Sequence, residues 1–552
     1  MASVSAAQSL QDEVAQQKAL LKDLQNRQAD PALLEEAKKK LGDLQRSFAL
    51  LQNAIGGGSK KKERLLLKTP KGTRDYGPNE MHCREHIERI VKDCFTTYGG
   101  GCLDTPVFER KDILAGKYGE DAKLIFDLMD QGGEQLALRY DHTVPLARYL
   151  AMNGAQATQA KLWQVGKVYR RDSPVMSKGR MREFSQADFD IAGVWDVMIP
   201  DAELISLLCT ILSKLDVGEF TVKINHRKIL DGIFEVCGVP ADKIRSISSA
   251  VDKLDKLPWS EVKHEMTEVK GLDPAVADKI GEYVKHKGGP ELLEQLMADT
   301  ALMANATAKT GINEMAILFG YLRSYKVLDR LSFDMSLARG LDYYTGIIYE
   351  AIKKAKKAQT GQDEEEEIDE STVGVGSIAA GGRYDNLVGM FTAAAAGEGK
   401  KPPTLPCIGV SIGLDRVFAI VWPRWVSTGM RSKETMVYVM AAGDGLLNER
   451  VELVQELRAA GIKSDFLFKA KPKLSAQFAA GERDEVPFAI ILGETELKEG
   501  LVTVKEQRWE LVDGKKQKIE SADKGVKVKR AELVQWLKDT PTMKEWDSGK
   551  FL

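Results

Sequence analysis

Nowhere in the 552 residues does GxxxxGK[ST] occur, and no GxGxxG sits at a strand-to-helix junction. Neither a P-loop nor a dinucleotide fold is supported, so a nucleotide, if one is used, is held another way. Cysteine is scarce: six residues, none in a CxxC pair, which excludes a zinc ribbon and leaves buried reduced thiols as the simple reading. Long apolar runs are missing too. MVYVMAA at Met436 falls well short of the roughly 20 residues that span a bilayer, so no membrane partner is expected. The first residues include Asp12 and Glu13 and show no apolar or Arg-rich presequence, which points to a cytoplasmic chain. No sign of charge dominates, with 79 Lys and Arg against 81 Asp and Glu. A polyanion would have to be met by local patches, such as residues 60–62 or the Lys-rich C-terminal third.

What is present is globular, 43% hydrophobic and 29% charged, and too long for one core, so three or four domains are expected. Residues 1–55 read as two helices. Leu10, Val14, Leu21 and Leu24 share one stripe, and Leu34, Ala37, Leu41, Leu44, Phe48 and Leu51 another, at helical spacing. Asp30 is the expected cap before Pro31. The opposite faces carry Lys18, Lys22, Arg27, Lys38, Lys39, Lys40 and Arg46. That pattern suits a plain hairpin with a solvated face or an appendage that binds RNA or a partner. Residues 56–67, with GGGS and then KKK, read as a flexible basic linker. Residues 68–225 and 326–430 mix helices with β-like runs at 161–169, 347–351 and 407–412. Residues 226–325 between them are mostly helical and charged, as in an inserted module, and the acidic run 364–367 reads as a surface loop. From 431 to 552 strands and helices alternate, which predicts a separate small α/β domain.

Two patterns bear on chemistry. His82-Cys83-Arg84-Glu85-His86 fits a zinc-peptidase H-x-x-E-H motif. On a helix, however, the apolar stripe is Cys83, Ile87, Ile90, Val91, Cys94 and Phe95, while His82 and His86 align with Arg89 and Asp93. Solvated histidines are expected there, not a metal site. The stronger pattern is a set of arginines in β-like or Gly-rich text: Arg170, Arg171, Arg180, Arg182, Arg339 and Arg416. A planar fork in apolar surroundings suits a fixed phosphate or carboxylate, and a structural ion-pair network would give the same text.

These strings closely resemble the signatures of the histidyl-tRNA synthetase family. LARGLDYYTG (337–346) and AAGGRYDNLVG (379–389) resemble its two histidine motifs. KTPKGTRDY (68–76) is similar to the start of its catalytic domain, LDTPVFE (103–109) to class II motif 1, KVYRRDSPVMSKGRMREFSQADFDIAG (167–193) to motif 2, and GVSIGLDRVFAI (409–420) to motif 3. The resemblance extends to the N-terminal hairpin, which is WHEP-like, and to the C-terminal domain. It implies an α+β multidomain chain: a class II antiparallel-sheet core with a helical insertion and an α/β anticodon-binding domain.

By that resemblance the chain is a histidine–tRNA ligase of the cytoplasm whose partners are ATP, Mg, L-histidine, tRNA(His) and a second copy of itself. Arg170 would grip the α-phosphate, Phe184 and Arg416 would sandwich the adenine, and Arg180 and Arg416 would reach the outer phosphates, with Asp172 also at the nucleotide. Arg339 would stabilise charge between carboxylate and α-phosphate. Asp141, Thr143 and Gln186 would meet the α-ammonium, and Asp190, Tyr343, Tyr344 and Tyr384 would surround the rest of the histidine. His142 stands where the family usually has an apolar residue and is given no role. A histidine-sensing paralogue would tend to lose Arg170, Arg339 or Arg416, and a synthetase for another amino acid would lack LARGLDYYTG; this chain has them all.

Overall fold

The computed structural model describes residues 2–27, 31–55, 66–114, 116–129, 132–154, 159–255, 257–338, 343–353, 376–396, 404–429, 431, 433–512, 515–519 and 525–547. It divides into two compact units, Met1–Thr69 and Pro70–Leu552.

In the first unit, α1 (Ala2–Asn26) and α2 (Pro31–Ile55) pack together. Val14 and Ala37 are buried, and Leu10, Leu21, Leu24, Leu34, Leu41 and Leu44 are half-buried. Gln17 Nε2 donates to Ala37 O at 3.4 Å. The basic side chains on the opposite faces are exposed. Asp30, the side chains of Phe48 and Leu51, residues 56–65 of the linker 56–67 and the acidic run 364–367 lie outside the described residues.

The second unit opens with α3 (Pro78–Thr97), where Pro78 fills the first turn and Glu80 accepts from Gly77 N at 3.0 Å, closing the exposed amide end. Then follow β1 (Gly101–Cys102), α4 (Thr143–Met152), β2 (Gln159–Tyr169), β3 (Glu183–Gly193), α5 (Ile199–Lys214), β4 (Phe220–His226), β5 (Lys287–Gly288), β6 (Leu331–Asp334), β7 (Ile347–Lys353), β8 (Ser377–Arg383), β9 (Cys407–Gly413) and α6 (Leu414–Ser427). The nine strands form one sheet in the order β1-β2-β3-β9-β8-β7-β4-β6-β5. Pairing is antiparallel from β2 through to β4, and parallel only at β1–β2 and β4–β6.

β3 shows why one face becomes a site. Ala187, Phe189 and Ile191 point into the main core with α3 and α5, where Phe189 meets Phe95 at 5.3 Å between ring centroids. Each such buried aromatic contributes about 2–3 kcal/mol. The alternate residues Phe184, Gln186, Asp188 and Asp190 face the other way, as a strand's period of two requires.

The helices between Arg227 and Ser324 share the main core with the sheet instead of enclosing a separate one: Ile229, Phe234, Ile312 and Phe319 belong to the same cluster as Phe189 and Val410.

The C-terminal part runs β10 (Val437–Ala441), α7 (Leu447–Ala459), β11 (Ser464–Phe466), α8 (Leu474–Arg483), β12 (Phe488–Leu492), β13 (Leu501–Glu506) and β14 (Val526–Lys529). Its sheet order is β11-β10-β12-β13-β14, over its own core. The strand–helix alternation read from sequence accounts for the three parallel strands. β13 and β14 extend that sheet antiparallel. Among the described residues no helix is long and apolar enough to cross a membrane.

One expectation is corrected. His82 and His86 are not solvated: His82 is buried and meets Trp425 edge-on at 5.5 Å, with the His86 ring 4.9 Å from the same indole. Burial lowers the pKa of both. α6 covers what a helical wheel of α3 alone leaves facing water.

Candidate active site

A cavity of about 430 Å³ opens on the face of the sheet that carries Phe184 and Gln186. Three groups of residues build it. The start of α4 supplies Asp141 and Thr143. The ends of β2 and β3, with the loop between them, supply Arg170, Asp172, Arg180, Phe184 and Gln186. The region from β9 into α6 supplies Ser411, Gly413, Asp415 and Arg416, and Tyr343 and Tyr344 close another side. Ten of the residues singled out from sequence thus meet around one space. Asp190 and Tyr384 lie just beneath its wall, both buried, with Tyr384 OH donating to Asp190 Oδ1 at 2.5 Å. Arg339 lies outside the described residues.

Arg170 is fixed by its surroundings before any ligand arrives. Its Nε donates to Tyr140 O at 3.2 Å and its Nη2 to Gln186 Oε1 at 3.3 Å. The guanidinium lies over the rings of Tyr140 at 4.3 Å and Phe184 at 5.2 Å, which holds the fork flat. Arg416 Nη1 donates to Ser377 O, and Arg180 is exposed toward the cavity. The loop bearing Arg180 presses on the start of α6: Gly179 has φ +67°, and a Cβ there would sit 2.8 Å from Asp415 O, so only glycine brings the two arginines together.

The opposite end is acidic. Asp141 is buried, accepts from Tyr118 OH at 2.9 Å and from Val144 N at 3.1 Å, and burial raises its pKa. Burial lifts Asp190 to about 7, against the pull of the Tyr384 hydrogen bond. Asp190 can lie across the sheet because its neighbour is Gly409, where a Cβ would fall 1.8 Å from its Oδ1. Asp188 accepts from Ser411 Oγ at 2.6 Å, its other oxygen has no partner, and burial first, then the Asp190 charge, raise its pKa. His142 points away from the cavity, with Nε2 3.3 Å from Gly166 O. Burial, then Arg139, lowers it to about 3, so it is a neutral ring.

The space therefore joins an arginine end suited to phosphate with a carboxylate end suited to an ammonium and a ring nitrogen. The histidyl-tRNA synthetase family model matches residues 72–417, and an anticodon binding domain model matches 436–540. The chain is 50% identical to histidine–tRNA ligase of Danio rerio over 86% of its own length and 95% of the relative's. It is 51% identical to the cytoplasmic ligase of Takifugu rubripes (81% and 86%) and 49% to the mitochondrial ligase of Homo sapiens (81% and 85%). The chain belongs to the histidyl-tRNA synthetase family. Among solved structures, histidyl-tRNA synthetase from Nostoc superposes with a TM-score of 0.65 at 28% identity, over 86% of this chain and 99% of that one.

Within this synthetase, sequence reasoning overlooked Tyr118, Tyr140, Asp188, Tyr349 and Ser411. Asp188 had a signal: with Gln186 and Asp190 it makes a polar residue at every second position of an apolar strand, which marks one wetted or functional face. Tyr140 adjoins Asp141 and Tyr349 lies in the β-like run 347–351, and both line the cavity; Tyr118 carried no signal, since it reaches Asp141 from another segment.

Proposed function

We propose that this chain joins histidine to tRNA(His) in two steps. The histidine carboxylate attacks the α-phosphorus of ATP and pyrophosphate leaves; a hydroxyl of the terminal ribose of tRNA then attacks the carbonyl and releases AMP. The observation that carries this reading is the single cavity of about 430 Å³ that is lined by Arg170, Arg180 and Arg416 together with Asp141, Thr143 and Gln186. Arg170 and Arg339 hold the α-phosphate and the attacking carboxylate, Arg180 and Arg416 the outer phosphates. Phe184 stacks on adenine against Arg416, and Asp172 assists at the nucleotide. Asp141, Thr143 and Gln186 receive the α-ammonium. Asp190, steadied by Tyr384, accepts from a ring N–H, with Tyr343 and Tyr344 beside it. No side chain acts as nucleophile; positioning and fixed positive charge lower the barrier.

Magnesium would enter with the phosphates. Among the described residues no cluster of three His, Cys, Asp or Glu offers a protein-only metal site, which suits an ion that keeps water and phosphate oxygens as ligands.

The antiparallel sheet without a phosphate loop supports a class II assignment. Val107 and Phe108, exposed in the 103–109 segment, support a homodimer joined there, and sedimentation checks it. The WHEP-like hairpin adds salt-sensitive tRNA affinity through its exposed lysines, and the chain works in the cytoplasm. The deciding experiment is ATP–pyrophosphate exchange with each of the twenty amino acids. Exchange with histidine alone is expected, and exchange with another amino acid, or with none, refutes the reading.

A further inference from the structure

Behind the nucleotide end of the site lies a second cavity of about 380 Å³ that shares Met181, Phe184 and Asp415 with the first. Its floor is a knot of four parts of the chain. Asp415, at the start of α6 and next to Arg416, is buried and accepts from Tyr76 OH at 2.5 Å, from Ser185 N at 2.6 Å and from Arg84. Arg84 also donates to Ser185 Oγ at 3.1 Å. Two guanidiniums lie over the Tyr76 ring, Arg84 at 4.1 Å and Arg74 at 4.5 Å, and the ring meets Phe418 edge to face at 5.6 Å. The same N-terminal segment grips β3, since Arg182 N donates to Gly72 O at 2.8 Å.

We propose that Tyr76 is a positioning residue for ATP: through Asp415 it fixes the start of α6 against β3, and so sets the spacing between Arg416 and Phe184. It does not touch substrate. Three features carry this. The acceptor carboxylate adjoins Arg416 in sequence, and one of its other donors, Ser185 N, adjoins Phe184. The tyrosine ring is held by two guanidiniums and by Phe418, so its hydroxyl acts as a fixed strut. No side chain of the knot belongs to the histidine end, and although Ser185 also adjoins Gln186, that strand is held by its own ladder on both sides, so a loss in the knot falls on the nucleotide more than on the amino acid.

The proposal rests on the reading of the cavity as a histidine- and ATP-binding site, and the test separates the two. Tyr76→Phe removes only the hydroxyl and keeps the ring against its two arginines. Tyr283→Phe, which deletes a comparable tyrosine–aspartate bond (OH to Asp299 Oδ2, 2.8 Å) among the helices away from the site, serves as the control. In histidine-dependent ATP–pyrophosphate exchange by the full chain, the ATP KM of Tyr76→Phe should rise by about 10- to 100-fold, as for loss of one hydrogen bond to a charged group. Its histidine KM should stay within about twofold of the parent, and both constants should be unchanged in Tyr283→Phe, whatever the two melting temperatures do. An unchanged ATP KM, or an equal rise in both constants, overturns the proposal. Absence of exchange in the unmodified chain would instead overturn the functional reading.

Discussion

Asp190 offers a test in which stability and function move in opposite directions. Folding raises its pKa from the ordinary 3.8 to about 7, chiefly by burial. Between those values the native state holds the proton and the unfolded state has lost it, so native stability falls as pH rises through the window and levels off above about 7. Each unit is worth about 1.4 kcal/mol, so the full cost reaches at most about 4 kcal/mol. Asp190→Asn abolishes this titration. Its carbonyl still accepts from Tyr384 OH, while its NH₂ group brings into a buried position one more donor hydrogen than the protonated carboxyl has, at a cost of about 1–3 kcal/mol at every pH. Relative to the parent, the variant should therefore gain about 3 kcal/mol between pH 5 and pH 8, turning from the less stable protein into the equal or more stable one. Calorimetric melting at the two pH values reads this directly. The function should go the other way. The ionised carboxylate accepts the ring N–H, so the parent's histidine KM should drop as pH rises toward 7. The variant should show a histidine KM raised by about 10²-fold or more and keep only the pH dependence of free histidine itself. A stability difference that is the same at both pH values would refute the buried-carboxylate argument. An unaltered histidine KM would remove Asp190 from recognition.

Arg170→Ala should lower histidine-dependent exchange by about 10²- to 10³-fold, and Arg170→Lys should recover little of it, because a point charge cannot replace a fork held flat on Tyr140 and Phe184; single-turnover exchange measures both. Gly409→Ala would drive a methyl group to 1.8 Å from Asp190 Oδ1, so histidine affinity should fall steeply while binding of a non-hydrolysable ATP analogue persists, as titration calorimetry with each ligand would show. Arg450 is fully buried in the C-terminal part and donates to the carbonyls of Gly445, Leu467, Lys469 and Ala470. Arg450→Met should cost that part about 3–5 kcal/mol, giving an earlier melting transition with aminoacylation reduced and exchange spared.

The line between what the sequence disclosed and what it withheld follows the range of the interactions involved. Arg170, Phe184 and Gln186 were readable through the resemblance of residues 167–193 to motif 2, and the strand's period of two explains why Phe184 and Gln186 share one face. The hairpin stripes and the three parallel C-terminal strands were readable for the same local reason. His82 was misread because its environment is set by Trp425, which no periodicity of α3 can anticipate. Tyr118 beneath Asp141 and the Asp415 knot belong to the same class of long-range contact. The pKa shifts belong with them, since desolvation depends on what covers a group: the string QADFD shows three polar residues, and only the packed sheet makes Asp190 titrate near neutrality while leaving an oxygen of Asp188 without a partner. The residues expected to touch ligand were thus legible as a list. What makes them a site is the set of buried groups that hold them: Tyr118 on Asp141, Tyr384 on Asp190, Tyr76 on Asp415. Each is a tyrosine hydroxyl donating to a carboxylate from a distant part of the chain. A neutral donor fixes the geometry of a carboxylate without cancelling its charge, which an arginine partner would do. In the proposed reading, the charge of Asp141 and of ionised Asp190 thereby stays available for a cationic amine and a ring N–H. Asp415 is the one of the three that also forms a salt bridge, to Arg84, and in the proposed reading it holds Arg416 in place instead of receiving a cation.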